Sequence, residues 1–488
     1  MLDDLGIVML APCLAAGFVW IAAVQAPPAK APESVATLLS LGARLEADGD
    51  LPGAAAAYER AVAAVPRHAV AHDRLGFALG RLGRTQEALA EFERAIAIDP
   101  ALFDAQYHLG ATRWWTRDMA GASGPLRAAV RLRPQHPEAR YYLGLTLKQL
   151  GRVDEGIPHL REAVRLAPAL APAHLQLGVA LQGVGDLDGA IVHLTRAVDL
   201  DPSSPDALNS LGLAWMQKGE GKQAAETFRR IVASHPDFPA ARLNLGTALM
   251  HQGDLAGAID VLRRLSADEP RNAEALYNLG VALKQQDDFE EAETALRGAA
   301  ALDTKLHDAS FTLGVLLWQT GRGDQAADAF REAVARQPQS AQAHYMLGTV
   351  LKQHGQHPEA VEEFRAAIRS QPDLVEAHSS LAQGLRQTGD VEGARAAQAE
   401  ADRLTRRKAD AQASAFALGV GQRKMKAGDR SGAIARFREA IRLADDNAQA
   451  HYALAVVLRQ SGARAAARRH FDRARALAPY LVPPGERR

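Results

Sequence analysis

Cysteine is the scarcest residue of this 488-residue chain, and its scarcity removes several classes of site. The single cysteine, Cys13, excludes a disulfide framework, a cysteine-ligated zinc site and a CxxC redox pair. Aromatic residues make up only 5% of the chain, so the core must be built mainly from alanine and leucine, which favours helices. The net charge is zero, which argues against nucleic acid as a partner.

The N-terminal segment combines an absence of charge with a long apolar run. Residues 5–29 carry no charged side chain, and residues 5–26 are mostly apolar. This run is long enough for a membrane anchor and is placed like a secretory signal, although Asp3 and Asp4 precede it instead of lysine or arginine. Residues 1–34, with their Pro/Ala linker, are therefore predicted to be a signal peptide or membrane anchor. The protein is expected to be exported, periplasmic or anchored in the cell envelope; an apolar tail on a cytoplasmic protein is the alternative.

A repeat of 34 residues governs the rest of the sequence. The pair Leu-Gly recurs with this spacing from Leu41-Gly42 to Leu347-Gly348, and related pairs continue the pattern to Leu454-Ala455. Alanine follows twelve residues after the small residue in all but one of the thirteen repeats, where Gly156 replaces it. Proline follows at 24 residues in ten of the repeats. Four columns aligned over so many repeats indicate a stacked repeat architecture.

The pattern resembles the tetratricopeptide repeat (TPR), which has the same period and the same Leu-Gly, Ala, Phe and Pro columns. With Leu-Gly as positions 7 and 8, thirteen repeats span residues 35–481. The resemblance implies an all-α fold, an α-solenoid in which stacked helix-turn-helix units form a right-handed superhelix. It also implies that the chain binds other proteins, with extended peptide segments held in a groove.

The columns predict the same architecture without the family. An amphipathic stretch of about 14 residues ends at a glycine at position 15 in eleven repeats, as at Gly83, and a second apolar-periodic stretch follows. Arg117 and Asp287 replace this glycine in two repeats. Small residues at positions 8, 20 and 27 let helices approach closely, while Phe or Leu at position 24 fills the remaining space.

The array is irregular near its C-terminal end. Five extra residues fall between repeats 11 and 12, where no proline occurs from residue 391 to residue 426, and this predicts one long helix fusing the two repeats. The predicted organisation is repeats 1–11 at residues 35–408, the insertion with repeats 12 and 13 at 409–481, and a tail at 482–488. Residues 403–488 contain 19 basic and 7 acidic residues. Their arginines are interpreted as a polar cap on the array or as a surface that docks an acidic partner, protein or lipid.

One face of each first helix is the candidate binding surface. Positions 2, 5, 6, 9 and 13 cluster on one side at 100° per residue, with position 12 at its edge, and in similar proteins this set lines the groove. Aromatic side chains at position 5, with lysine at 12 and glutamine at 13, suit an extended peptide. The alternative is that the aromatics only pack between helices and the polar groups are only solvated.

Two patches on this face are the densest. The predicted partner-binding residues of repeats 3 and 4 are Tyr107, Trp114, Trp115, Tyr141, Lys148 and Gln149. Those of repeats 8–10 are Tyr277, Asn278, Lys284, Gln285, Phe311, Trp318, Tyr345, Lys352 and Gln353. Trp114 and Trp115 are adjacent and cannot share one packing seam, so one of them is expected to be exposed.

No catalytic, cofactor or metal site is expected. The chain has no HExxH, phosphate-loop or GxSxG motif, and the repeats leave no room for a catalytic domain. Histidines recur at position 4, as at His72 and His378, and are interpreted as packing residues. TPR domains that clamp a chaperone's C-terminal carboxylate carry lysine at position 5 and asparagine at position 9, which no repeat here has. Asn244 and Asn278 match in part the asparagine ladder of the array of O-GlcNAc transferase.

These observations lead to three hypotheses of function. The first is a non-catalytic scaffold in bacterial envelope assembly or secretion that binds extended partner segments. The second is a substrate-recognition or regulatory subunit for a separate glycosyltransferase. The third is a cytoplasmic adaptor, which a full-length, unprocessed chain would favour.

Overall fold

Helices are the only regular elements in the computed structural model, which describes residues 33–481. A first helix begins at position 1 of repeats 1–11 and a second at position 17. The first helices are α1 (Val35–Ala47), α3 (Ala69–Arg81), α5 (Phe103–Trp115), α7 (Pro137–Gln149), α9 (Ala171–Gly183), α11 (Pro205–Lys218), α13 (Pro239–Gln252), α15 (Ala273–Gln285), α17 (His307–Gln319), α19 (Ala341–Gln353) and α21 (Val375–Gln387). The second helices of repeats 1–10 are α2 (Leu51–Ala64), α4 (Thr85–Ile98), α6 (Met119–Leu132), α8 (Val153–Leu166), α10 (Leu187–Leu200), α12 (Gly221–Ser234), α14 (Leu255–Asp268), α16 (Phe289–Leu302), α18 (Gly323–Arg336) and α20 (His357–Ser370). The last four helices are α22 (Val391–Lys426), α23 (Arg430–Leu443), α24 (Ala448–Gln460) and α25 (Arg464–Leu477).

The described part of the chain forms two compact units, residues 33–214 and 215–481, and the division falls within α11. In the first unit, helices α1 to α9 each pack against the next helix along the chain; in the second, α12 to α24 do the same. The predicted all-α solenoid of stacked helical pairs is therefore confirmed. The predicted boundary between residues 408 and 409 stays a prediction.

One or two residues after each first helix, the chain has a residue with left-handed backbone. The eleven glycines at position 15 have φ angles between 74° and 86°. Arg117 and Asp287, which stand at this position in the other two repeats, have φ angles of 65° and 63°. The turn thus imposes the conformation whatever the residue, and glycine predominates because it adopts that conformation without steric cost. The turn positions predicted from the sequence are confirmed.

In most repeats, the core is formed where the small residue at position 8 meets a large side chain at position 24; in repeat 11 this position is Gln398. A Cβ atom at Gly314 would lie 2.7 Å from the ring of Phe330, and one at Gly76 would lie 2.8 Å from the ring of Phe92. Both rings are almost completely buried. The two helices of a repeat therefore pack closely enough that the Leu-Gly column is a packing requirement.

Helix α22 confirms the predicted fusion of repeats 11 and 12. It runs unbroken for 36 residues. Ala394 and Ala397 near its start belong to one hydrophobic cluster with the preceding repeats, whereas Ala417 and Leu418 belong to a separate cluster with the last two. All nine residues from 405 to 413, between these two ends, are exposed.

The predicted signal or anchor segment lies outside the described residues apart from its last two positions, and so does the tail at 482–488. Within residues 33–481, no helix has both the length and the apolar character that crossing a bilayer requires.

Candidate functional site

Three consecutive repeats of the first unit enclose an open cavity of about 530 Å³. The side chains that define it are Phe77 and Arg81 from α3, Tyr107, His108 and Trp115 from α5, and Tyr142 from α7. These residues occupy positions 5, 6, 9 and 13 of their repeats, which is the face that the sequence indicated. The volume lies within the range of about 300–1,000 Å³ that is usual for binding pockets.

The walls of this aromatic cavity are rings in contact with one another. The centroids of Tyr107 and Tyr142 are 6.2 Å apart, and those of Tyr142 and Trp114 are 5.4 Å apart. Trp114 in turn meets Trp115 edge-on at 5.0 Å. Because tilted and edge-on ring pairs at these distances attract one another, the rings hold one another in place. The cavity is therefore built before any ligand arrives.

The adjacent tryptophans take different roles, as the sequence predicted. Trp115 is 68% exposed and lines the cavity. Trp114 is half-buried, and its indole Nε1 is buried without a hydrogen-bond partner in residues 33–481. Since an exposed indole keeps its full apolar area available, Trp115 is the ring of this cluster best placed to contact a partner.

A buried carboxylate supports one wall of the cavity. Asp73 in α3 is 2% exposed, and its Oδ1 lies 2.8 Å from Nδ1 of His108. Nδ1 of His108 is thus engaged with the carboxylate, which leaves Nε2 as the ring nitrogen available for another polar contact. The ring of His108 also lies 5.0 Å from that of Phe77. A polar group thus sits among apolar walls.

Sequence reasoning placed this cluster in repeats 3 and 4 and did not include repeat 2. The structure adds Phe77, Arg81 and Asp73 from α3. A signal existed, since Asp73 stands at position 5, which is aromatic in six other repeats. The orientation of Phe77, at the generally apolar position 9, could not be read from the pattern.

Burial alters the ionisation of three predicted site residues in these repeats. It raises the pKa of Tyr107 and of Tyr141 to about 12, so both hydroxyls stay protonated and neutral. It lowers the pKa of Lys148, whose Nζ donates a hydrogen bond to Oε1 of Gln176. Gln149 beside it is exposed. Of these four residues, only Tyr107 lines the cavity, and Tyr141, Lys148 and Gln149 are not part of its lining.

The aromatic residues of the second predicted patch, in the other unit, pack against the repeat cores. Phe311 lies 5.7 Å from Phe330, and Tyr345 lies 6.1 Å from Phe364. Tyr277 is half-buried against the same hydrophobic cluster. All three rings are half-buried, which agrees more with the packing interpretation than with a broad aromatic shelf.

Several polar groups of this second patch are engaged with one another. Trp318 donates from Nε1 to Oε1 of Gln353 over 2.9 Å. Lys352 Nζ lies 2.9 Å from Oε1 of Gln383. The amide of Asn278 donates to the carbonyl of Glu274 in its own helix. Lys284 is half-buried and Gln285 is exposed. The first patch is therefore the stronger candidate site.

Metal chemistry finds no support in the described part of the chain. No group of three or more histidine, cysteine, aspartate or glutamate side chains in residues 33–481 is arranged to hold a metal ion.

Family models decide the relationship of this chain to known proteins. Models described as "Tetratricopeptide repeat" match along most of the repeat region. One of them matches residues 112–171, 175–237, 311–374, 345–414 and 418–481. A second matches residues 216–279 and 249–310, and a third matches residues 69–102. The chain belongs to the tetratricopeptide repeat family. Its coarse function follows from the family: it is a protein-interaction scaffold.

Solved structures of TPR proteins are similar to parts of this TPR chain. YrrB, titled a TPR protein with an unusual peptide-binding site, is 24% identical over 38% of this chain and 96% of its own, with a TM-score of 0.36. PilF of Pseudomonas aeruginosa is 22% identical over 44% and 97%, with a TM-score of 0.38. MamA of Desulfovibrio magneticus RS-1 is 23% identical over 34% and 95%, with a TM-score of 0.32. A search of curated proteins gives no match.

Proposed function

We propose that this TPR chain is a non-catalytic scaffold of bacterial envelope assembly or secretion, and that the aromatic cavity takes the main anchoring side chain of an extended partner segment. The observation that carries the proposal is the cavity formed by Phe77, Tyr107, Trp115 and Tyr142 on the groove face of repeats 2–4. It gives a protein-interaction fold a preformed apolar pocket with a few polar groups, which is the usual form of a recognition site.

The chemistry of the cavity selects the anchor. Neutral rings bury a bulky apolar or aromatic side chain favourably, and edge-on contacts to Trp115 and Tyr142 add geometric preference. His108 supplies a polar ring nitrogen, and Arg81 at the wall supplies donors for a backbone carbonyl or a carboxylate. An extended peptide with one aromatic residue and a nearby acidic group therefore suits the site.

The proposal includes export of the chain to the periplasm or its anchoring in the cell envelope. Its support is the apolar, uncharged run at residues 5–26, which has the length of a membrane span and the position of a secretory signal. Fractionation of bacterial cells producing the full chain is expected to place it in the periplasm or on the membrane. A full-length chain recovered only from the cytoplasm would favour the adaptor hypothesis.

A selection from a random peptide library tests the binding site directly. The native full chain is expected to enrich peptides with a phenylalanine, tyrosine or tryptophan anchor. Trp115→Ala should weaken these peptides at least tenfold, since truncation of an aromatic hot spot costs about 2 kcal/mol or more.

Phe416→Ala is the matched control, because Phe416 is 72% exposed on α22 and lies outside the cavity. Circular dichroism should show both variants folded. Equal binding by Trp115→Ala and native chain would contradict the proposed site, and selection of peptides without an aromatic or large aliphatic anchor would contradict the proposed chemistry. Tyr277→Ala with Tyr345→Ala tests the second patch in the same assay.

A further inference from the structure

A stripe of arginines lines one face of the last described helix. Arg464, Arg468 and Arg475 of α25 follow the spacing i, i+4 and i+11, which places them on one side of the helix, with Phe471 between them at i+7. These four residues line an open cavity of about 480 Å³ together with Arg459 and Asp472. We call Arg464, Arg468 and Arg475 the arginine stripe.

Most other repeats use the corresponding face for packing; repeat 11, with Arg395 and Asp402 there, does not. Positions 21 and 28 of the second helix are Leu89 and Ile96 in repeat 2, and both pack into the hydrophobic core. The same positions hold Val361 and Ile368 in repeat 10, and Ile434 and Ile441 in repeat 12, again within the core clusters. In repeat 13 they hold Arg468 and Arg475, which are exposed. The surface that elsewhere receives a neighbour is thus converted into a cationic one.

The arginine stripe lacks the acidic partners that other arginines of the chain have. In α8, Arg165 pairs with Glu162 at 2.7 Å, and many helices show such intrahelical pairs. None of the three stripe guanidinium groups makes a hydrogen bond or ion pair within the described residues 33–481, although Asp472 lines the same cavity. Like charges four residues apart repel one another, by a few tenths of a kcal/mol. Neutral polar side chains would prevent another repeat from stacking on α25 without this repulsion. Prevention of stacking therefore does not by itself explain three cations around one cavity.

We propose that the arginine stripe docks an extended acidic segment of a partner protein, in which carboxylates flank one apolar side chain. Guanidinium groups pair bidentately with carboxylates, and the rise of about 1.5 Å per residue puts Arg468 and Arg475 roughly 10 Å apart along the helix. Same-face side chains of an extended peptide are about 6.6–6.8 Å apart, so carboxylates two to four residues apart span that distance. Phe471 and Ala467 form an apolar floor between them.

Two further observations favour a protein segment over a lipid surface. The arginines surround a concave pocket, whereas a bilayer presents a broad surface that rewards a flat patch with protruding apolar side chains. Phe471 is only 7% exposed, so it cannot insert into a membrane. The docking site is therefore shaped for a chain lying along α25, with its charge opposite to that of the stripe.

Fluorescence anisotropy with the full chain tests the proposal. The probe is a labelled ten-residue peptide in which glutamate alternates with serine around a central leucine; the control peptide has glutamine for glutamate. The acidic peptide is expected to bind at least about tenfold more tightly at low salt, and added salt should weaken it. Arg468→Gln with Arg475→Gln should reduce its affinity at least about tenfold, since charge-assisted hydrogen bonds are lost.

Arg469→Gln with Arg473→Gln is the matched control, because it removes the same charge from the opposite face of the same helix. It should change the affinity less than about threefold. Arg468→Lys with Arg475→Lys keeps the charge but loses the planar guanidinium groups that pair bidentately with carboxylates. This variant should give an intermediate affinity. Trp115→Ala should leave the acidic peptide unaffected, and this separates the docking site from the aromatic cavity.

Three results would overturn the proposal. If the peptide does not bind at about 100 μM, its dissociation constant is too high for a scaffold interaction and the proposed docking site is wrong. If the two arginine-to-glutamine double variants lose the same peptide affinity, the binding depends on net charge alone and not on the arginine stripe. Tight binding of phosphatidylserine vesicles that depends on Arg468 and Arg475, without peptide binding, assigns the arginine stripe to a membrane surface instead. Circular dichroism of each variant confirms that the helices are retained.

Discussion

His378 and Pro372 lie on opposite sides of a repeat boundary, and Nε2 of the imidazole is 2.9 Å from the proline carbonyl oxygen. The same link joins position 4 to the carbonyl six residues earlier in other repeats. The equivalent pairs are His72 with Pro66, Gln106 with Pro100, Arg140 with Pro134, His174 with Pro168, His344 with Pro338 and His451 with Asp445. The histidines interpreted as packing residues are buried, and they also hold the turns between repeats.

Substitutions at His378 separate this hydrogen bond from packing. His378→Ala should destabilise the second unit by about 0.5–1.5 kcal/mol, because the half-buried hydrogen bond to Pro372 is lost. His378→Gln should lose less than half as much, since Gln106 makes the equivalent bond over 3.1 Å in repeat 3. Urea unfolding followed by circular dichroism measures both. Equal destabilisation by alanine and glutamine would show that the ring, not its hydrogen bond, matters.

The protein is expected to lose stability as the pH falls below about 6.5, the ordinary histidine pKa. Burial lowers the pKa of four histidines, which form two pairs. The Nδ1 atoms are 3.2 Å apart in His174 and His193, and 2.9 Å apart in His451 and His470. Nε2 of His174 donates to a carbonyl, so its Nδ1 must accept from His193. Protonation removes that acceptor, and the unfolded chain binds the proton more readily.

Thermal unfolding at pH 7.5 and 5.5 measures this effect. The Tm of the native chain should be lower at pH 5.5, with little change above pH 7.5. His193→Gln with His470→Gln, which keeps amide donors but removes two titrating rings, should show a smaller decrease. The interpretation fails if native chain and double variant lose the same amount of stability between the two pH values.

Gly314 should tolerate a methyl group only when its neighbour is smaller. Gly314→Ala is expected to destabilise the protein by about 1–3 kcal/mol, since its Cβ would lie 2.7 Å from the ring of Phe330. In the background of Phe330→Ala, which itself should cost about 3–5 kcal/mol, the added methyl group should be nearly neutral or favourable. A double-mutant cycle from urea unfolding measures the coupling, and additive effects would refute the close contact.

Arg117→Gly should stabilise the protein by about 1 kcal/mol. Arg117 has a φ angle of 65°, in the region that costs a non-glycine residue roughly 1–2 kcal/mol. Glycine occupies this turn position in eleven other repeats. The reverse change, Gly151→Arg, should be destabilising by a similar amount, because Gly151 has a φ angle of 74°. Thermal unfolding of the two variants measures both, and a lower Tm for Arg117→Gly would disprove the strain.

The sequence predicted the fold almost completely because its information is periodic. The Leu-Gly pairs and their variants set the register of the repeats, the position-15 glycines set the turns, and the absence of proline between residues 391 and 426 predicted α22. Each of these signals acts locally, through backbone conformation or close packing, so a single chain suffices to read it.

The candidate site was predicted less well because it depends on the orientation of side chains across repeats. Tyr107 and Tyr277 share position 5, yet the former lines a cavity with Trp115 and Tyr142 whereas the latter packs against a core. The difference arises from neighbours one repeat away, such as Phe77, and a column of equivalent residues does not reveal these combinations.

The exposed middle of α22 also affects how the protein unfolds. Repeat arrays melt cooperatively because each unit is stabilised by the interface with its neighbour, as in a one-dimensional Ising chain. Residues 405–413 contribute no buried side chain to the clusters on either side, so that coupling is weakened there. We therefore expect the last two repeats to open as a separate foldon, so that the arginine stripe is lost and recovered while the aromatic cavity persists.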